Sequence, residues 1–317
     1  MRRPEVVRKF FLSLASTVFL FVSGVVVPPL GIALLPFVPQ PVLVFGLKYG
    51  VGWGLGVLLV AGGLLAVFAA EELIFIYALF ALIAGLLFGF LGRLRAIEFL
   101  VLAVTSVVFA VTGGISLYFF GSWAKMIDDF RESLTNHLMA AMRMHEKMGF
   151  PQDTVDLLRE RTPQIVETLL QLLPGLFFVS LALIVLVNVV LLCRRFPERR
   201  SEWLSVDNFR EWKGPEPLVW GLIVCGFTLF IPGLEWLRIL AVNILVVIAA
   251  SYFAQGLAVI AYFFHKNNVP RFLRGLTYLL IFFQQIFTLL VVGVGLFDLW
   301  GDFRRLRKND LNPSQAS

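Results

Sequence analysis

LIFIYALFALIAGLLFGFLG, residues Leu73 to Gly92, is a run of twenty residues without a charge, bracketed by Glu71-Glu72 before it and by Arg93 and Arg95 after it. A helix rises 1.5 Å per residue, so such a run reaches across about 30 Å, the thickness of a bilayer's hydrocarbon core. An unpaired backbone amide at that depth costs several kcal/mol, and a helix pairs them all within one segment. Working outward, comparable runs lie near 10–28, 30–47, 51–70 and 97–121, and then near 172–193, 218–231, 236–264 and 272–299. The fold expected is all-α: a polytopic transmembrane helical bundle of eight or nine spans with amphipathic surface helices.

The rest of the composition agrees. Of 317 residues, 59% are hydrophobic and 15% charged, far from the roughly one quarter charged of a soluble domain. The net charge of +6 does not point to nucleic acid, because Lys and Arg sit in short clusters between apolar runs, where they read as topology signals. Cys193 and Cys225 have no spacing that suggests zinc or a disulfide framework. Met1 to Lys9 with the run Phe10–Val27 has the basic and apolar parts of a signal peptide but no small-residue cleavage site, so it is expected to stay as the first helix.

With a cytoplasmic N-terminus, Lys48, Arg93 and Arg95 fall inside and Glu71-Glu72 outside, as the positive-inside rule favours. The rule conflicts with itself near the end. Nine simple crossings put Arg304, Arg305, Arg307 and Lys308 outside, whereas removing one of the last crossings puts Lys266, Arg271 and Arg274 there; a re-entrant run is one way out. The expected organisation is a six-span bundle over 1–193, including an extracytoplasmic amphipathic segment over 122–171, then a cytoplasmic interfacial linker over 194–217, membrane helices over 218–303 and a polar tail over 304–317.

Two polar segments carry local expectations. Around Gly149-Phe150-Pro151 the amphipathic segment breaks, and Thr162 before Pro163 has the form of a helix start, with Pro174-Gly175 marking a bend. In 194–217, Trp203, Val206, Phe209 and Trp212 recur at helical spacing among basic residues, which suits a helix lying on the headgroups.

Several features are candidates for function. Five prolines between Pro28 and Pro41, among them Pro36 and Pro39, forbid a regular helix, and irregular backbone at membrane depth survives only when buried in protein or lining a wet cavity. That segment is a candidate lid, or a loop hugging the outer interface. Trp53 and Asn188 are candidate ligand contacts with Pro36 and Pro39, since a polar group inside a span needs a partner; Asn243, Gln255, Gln284 and Gln285 raise the same question. Gly46, Gly50 and Gly54, spaced by four, suit close helix packing. Met126, Met139, Met142, Met144 and Met148 with His137 and His145 are soft ligands of the kind copper takes, yet Leu134, Leu138 and Met142 also form the stripe of an ordinary surface helix, so no metal and no cofactor is expected. No phosphate loop or metalloprotease pair is present, and no enzyme is expected.

The run Gly295-Leu-Phe-Asp298-Leu-Trp300-Gly-Asp302-Phe-Arg304 closely resembles the ending of the YybS-like family of bacterial polytopic membrane proteins, and Phe45-Gly-Leu-Lys-Tyr-Gly50 resembles it too. That family is similar, over its first six spans, to the S components of energy-coupling-factor vitamin transporters. The resemblance implies a bacterial cytoplasmic membrane, a solute held in the first six spans and a lid over 28–41. The S-component alanines spaced by four in the first helix are not reproduced here, where Ser13 and Thr17 are the nearest small pair. From the residues themselves, Asp298, Trp300, Asp302 and Arg304 read as an interfacial anchor or as a carboxylate–arginine network tying the tail to another loop. The function expected is a transport-related protein binding a small organic solute between helices, with a membrane-protein partner or an ion gradient to drive it; the alternative is a non-transporting scaffold that recruits partners through its amphipathic segments.

Overall fold

A computed structural model describes residues 3–68, 70–149, 151–204 and 209–304. Phe150, Val206 and the tail beyond Arg304 lie outside the described residues. Thirteen α-helices and two short 3-10 turns follow one another, and no strand occurs among the described residues. The helices are α1 (Arg3–Val26), α2 (Pro28–Leu34), α3 (Gln40–Tyr49), α4 (Val51–Phe68), α5 (Glu71–Phe90), α6 (Ile97–Phe120), α7 (Trp123–Lys147), α8 (Gln152–Arg195), α9 (Arg200–Trp203), α10 (Leu218–Thr228), α11 (Glu235–Lys266), α12 (Arg271–Phe283) and α13 (Gln285–Gly301).

Seven helical segments are long and apolar enough to cross a membrane, and the bent pair α12–α13 makes an eighth if it counts as one span. The ninth run expected from the sequence is α10, whose 11 residues cover only about 16 Å. Large apolar side chains stand outward along the helices, with Ile32 84%, Phe68 84% and Phe282 79% exposed. In water such patches would drive aggregation; facing lipid tails they are at no disadvantage.

The chain divides into two compact units, residues 1–113 with 180–207, and 114–179 with 208–317, and α8 contributes to both. This grouping joins the amphipathic segment to the C-terminal helices and cuts within 194–217, whereas the sequence suggested one bundle over 1–193.

In the first unit α1 packs along α2, α3 and α4. Tyr77 on α5 donates to the Leu58 carbonyl of α4 at 3.0 Å and stacks edge-on against Phe21 of α1. The α3–α4 turn falls at Gly50, whose φ of +119° suits glycine. The spacing by four is therefore symmetric about a turn instead of running along one helix: Gly46 and Gly54 oppose each other, with the Phe88 ring wedged beside them, and a Cβ on Gly54 would come within 2.9 Å of the Gly46 Cα.

In the second unit α7 and the first half of α8 form an antiparallel hairpin. Ser122 caps α7 by accepting the Lys125 N–H, and the pairs Arg131–Glu167 and Arg159–Glu146, both 2.7 Å, tie the hairpin at its two ends. The hydrogen bond that Arg131 donates to Glu167 holds its guanidinium above its ordinary pKa. Thr162 does not start a helix, because α8 runs unbroken through Pro163 and Pro174; the Thr162 hydroxyl instead bonds back to the Leu158 carbonyl, next to the buried Met142. Among the described residues the interfacial helix expected within 194–217 is not formed: α9 has only four residues, Trp203 is buried against Gly92, and 209–217 is irregular.

Candidate functional site

The amide side chains in mid-span at positions 188, 243 and 255 each bond the backbone of another segment where a proline or an irregular stretch disturbs its hydrogen bonding. In the first unit, the prolines force a 3-10 turn at Leu35–Phe37 between α2 and α3. Asn188 of α8 donates to the freed Pro36 carbonyl at 2.9 Å and to Ile184 at 2.7 Å, while Gln40 donates to the Asn188 carbonyl oxygens, backbone and side chain, at 2.8 and 3.1 Å. Asn188 is fully buried and both its N–H groups are engaged. Pro39 is buried, Pro36 half-buried, and Trp53 is 49% exposed with its edge on Phe10. The structure thus joins Asn188 to Pro36 and leaves Trp53 apart on the outer surface.

In the second unit Pro174, which lacks an N–H, interrupts the hydrogen-bond ladder of α8 without ending the helix. The amide of Asn243 on α11 inserts there, accepting the Gly175 N–H at 2.6 Å and donating to the Gln171 carbonyl at 2.8 Å, the two groups that an unbroken helix would pair with each other. A Cβ on Gly175 would meet the Asn243 Oδ1 at 2.8 Å, so the approach needs glycine.

The third break is the most elaborate. α10 and α11 run antiparallel, since Gly221 meets Ile248 while Gly214 meets Gln255. α13 runs with α11 in the same direction: Gly295 packs on Tyr252 and Gly256, and Phe303 lines one depression with Phe263 and Phe264. A Cβ on Gly256 or Gly295 would fall inside the van der Waals shell of the Val291 or Tyr252 carbonyl oxygen. Two co-directional helices joined by α12 return the chain to the end it left. α12 and α13 are bent by 105° at Gln284, where the Thr288 hydroxyl reaches across the break to the Ile281 carbonyl at 2.8 Å. Arg304 therefore lies toward the same end of the unit as Lys266, Arg271 and Arg274, while Arg305, Arg307 and Lys308 lie outside the described residues.

Where α13 ends, the chain closes on 209–214. Asp298, fully buried, accepts from Arg304 at 2.7 Å, from Gln255 at 3.2 Å and from the Phe303 N–H at 3.1 Å. Arg304, equally buried, also donates to the carbonyls of Arg210 at 2.6 Å and Trp212 at 3.0 Å. Lys213 pairs with Asp302 at 2.7 Å, and Gln255 accepts the Gly214 N–H at 3.1 Å. Gln255 lies ten residues before His265, about 15 Å along the helix and so near mid-bilayer depth. Asp302 ends α13 in a left-handed conformation, and Trp300, 65% exposed, stands outside the network. In this layer two buried polar atoms, the Arg304 Nε and the Tyr252 hydroxyl, have no partner among the described residues. Beside this layer, Val259, Ile260, Phe263, Phe264, Val294 and Phe303 line an open apolar depression of about 400 Å³.

Sequence reasoning singled out Asp298, Asp302 and Arg304 but missed Lys213 and the carbonyls of Arg210 and Trp212 as their partners, because only the fold brings 209–214 to the end of α13. Gly256 and Gly295 were also passed over; their adjacency to Gln255 and Asp298 is the signal that was there to read.

The helices, their lipid-facing aromatic surface and polar groups satisfied only within the protein define a class, the multi-pass α-helical integral membrane protein. The family model described as a predicted membrane protein (DUF2232) matches residues 15–299, and the chain belongs to that family. No curated protein and no solved structure matches it significantly.

Proposed function

We propose that this is a transport-type protein of a bacterial cytoplasmic membrane that binds a small organic solute between its helices and makes or breaks no covalent bond. The observation that carries the reading is the discontinuity of the second unit at membrane depth: α12–α13 turn through 105°, and α10 begins only after the irregular 209–217. Interrupted helices are disfavoured in lipid, and solute sites of transporters are built where such interruptions present polar groups. The Arg304 Nε and the Tyr252 hydroxyl, without a partner among the described residues, are both donors, and the neighbouring depression is apolar. A solute with an acceptor oxygen on an apolar body suits that combination.

The similarity to the YybS-like family, and through it to S components, supports the same class of function, with energy drawn from a partner or an ion gradient. It would put the solute in the first six spans under a lid at 28–41. There Asn188 donates to the Pro36 carbonyl and accepts from Gln40, so its amide is spent on that very segment, and we assign recognition to the second unit. The test is mass spectrometry of small molecules released after gentle purification, against an unrelated membrane protein prepared in parallel. Specific enrichment of an amphipathic compound bearing acceptor oxygens is expected. A protein that stays empty after cell extract is added back would overturn the reading in favour of a scaffold.

A further inference from the structure

The first unit carries a second site, at the end where its basic residues collect. α3 and α8 run in register, with Gln40 bonded to Asn188 and the Leu47 carbonyl accepting from Arg199 at 3.1 Å. α5 ends there too, since Arg95 donates to the Ser201 carbonyl at 3.2 Å. Three helix C-termini thus meet, bringing Lys48, Arg93, Arg95, Arg195, Arg199 and Arg200 to one end of the unit. The meeting point holds a depression of about 390 Å³ lined by Val44, Lys48, Arg195, Phe196, Glu198 and Arg199. Its lining has three cations to one carboxylate, and its wall is part apolar.

From this we propose that the depression binds the headgroup of an anionic phospholipid. Lys48 and Arg195 are exposed and have no ion pair among the described residues; the Lys48 ammonium has only the Tyr49 ring, 5.5 Å away. Arg199 is held in place by the Leu47 carbonyl and by the Phe196 ring, 5.9 Å from its guanidinium carbon, which leaves its remaining N–H groups for a phosphate oxygen. The volume suits a headgroup and the first carbons of a chain, and Val44 and Phe196 supply the apolar wall those carbons need. The position follows from topology: basic residues at the C-terminal ends of spans lie at headgroup level, where an anionic lipid adds to the attraction of each Lys or Arg. The site stands independently of where any solute binds.

The test uses the full chain, delipidated in neutral detergent and examined by native mass spectrometry with added phosphatidylglycerol, phosphatidylcholine or glycerol 1-phosphate. Phosphatidylglycerol is expected to bind as a discrete adduct, phosphatidylcholine far more weakly, and glycerol 1-phosphate not to compete at equal concentration. The double variant Lys48→Gln with Arg195→Gln, which spares the structural Arg199, should weaken the adduct about thirtyfold. Lys125→Gln with Arg143→Gln, an equal loss of charge on α7, should leave it unchanged. Equal weakening by both pairs would mean bulk attraction only and would overturn the site. Undiminished binding to Lys48→Gln/Arg195→Gln would do so too, and full competition by glycerol 1-phosphate would reassign it to a soluble phosphate ester.

Discussion

Replacing Asp298 by alanine removes the fully buried carboxylate of the second unit's polar layer. It orphans three donors at once: the Arg304 guanidinium at 2.7 Å, the Gln255 amide at 3.2 Å and the Phe303 N–H at 3.1 Å. Both members of the ion pair are fully buried, so water cannot take the carboxylate's place. Removing one partner of a buried pair costs about 3–5 kcal/mol, chiefly because the other charge is stranded. The carbonyls of Arg210 and Trp212 still hold Arg304, which argues for the lower part of that range, about 3 kcal/mol, or more than a hundredfold in the folding equilibrium. The assay is reversible unfolding in mixed micelles as the denaturing detergent fraction rises, followed by tryptophan fluorescence. The double variant Asp298→Leu with Arg304→Met removes both charges and should recover to within about 1 kcal/mol of wild type. A single variant that costs less than about 1 kcal/mol would refute the reasoning, since the pair would then have to be hydrated, and so would a double variant that falls as far as the single one.

Other outcomes follow from the same geometry. Gly295→Ala sets a methyl group against the Tyr252 carbonyl and should destabilise by about 1–3 kcal/mol or more in the same assay, with Gly256→Ala alike. Gly63→Ala, whose Cβ would meet nothing within 4 Å, should be close to neutral. Asn243→Ala leaves the Gly175 N–H and Gln171 carbonyl without their bridge, for a loss of about 1–3 kcal/mol and faster hydrogen exchange around residue 175. Asn188→Ala should speed exchange over 35–40 without altering the second unit's exchange.

Much of the architecture was legible in the sequence. Uninterrupted apolar runs declare their own length, and the prolines at 36 and 174 declare their breaks. What could not be read was which side chain mends which break. Asn188 lies 152 residues from Pro36, and Asn243 lies 68 residues from Gly175, so the pairings are products of the tertiary fold. Local signals also misled where a longer-range contact prevailed. Thr162-Pro163 has the form of a helix start, yet α8 continues across the proline, with ion pairs to α7 on either side of it. The aromatic spacing from Trp203 to Trp212 fits a surface helix, yet Trp203 is buried on Gly92 and the 210 and 212 carbonyls serve Arg304. The glycines at 46, 50 and 54 look like one helix face because a repeat of four is blind to a turn at its centre.

The reading of the second unit rests on α12 and α13 returning the chain to the side of the membrane that α11 reached. The measurement is labelling by a membrane-impermeant thiol reagent, in right-side-out and inverted vesicles, of single cysteines placed at Asn268 and at Ser317 in a Cys193→Ala/Cys225→Ala background. The account predicts that both positions react from the same side, in the inverted vesicles. Reaction of the two from opposite sides would make α12–α13 a full crossing and would contradict the interrupted-helix site on which the proposed function stands.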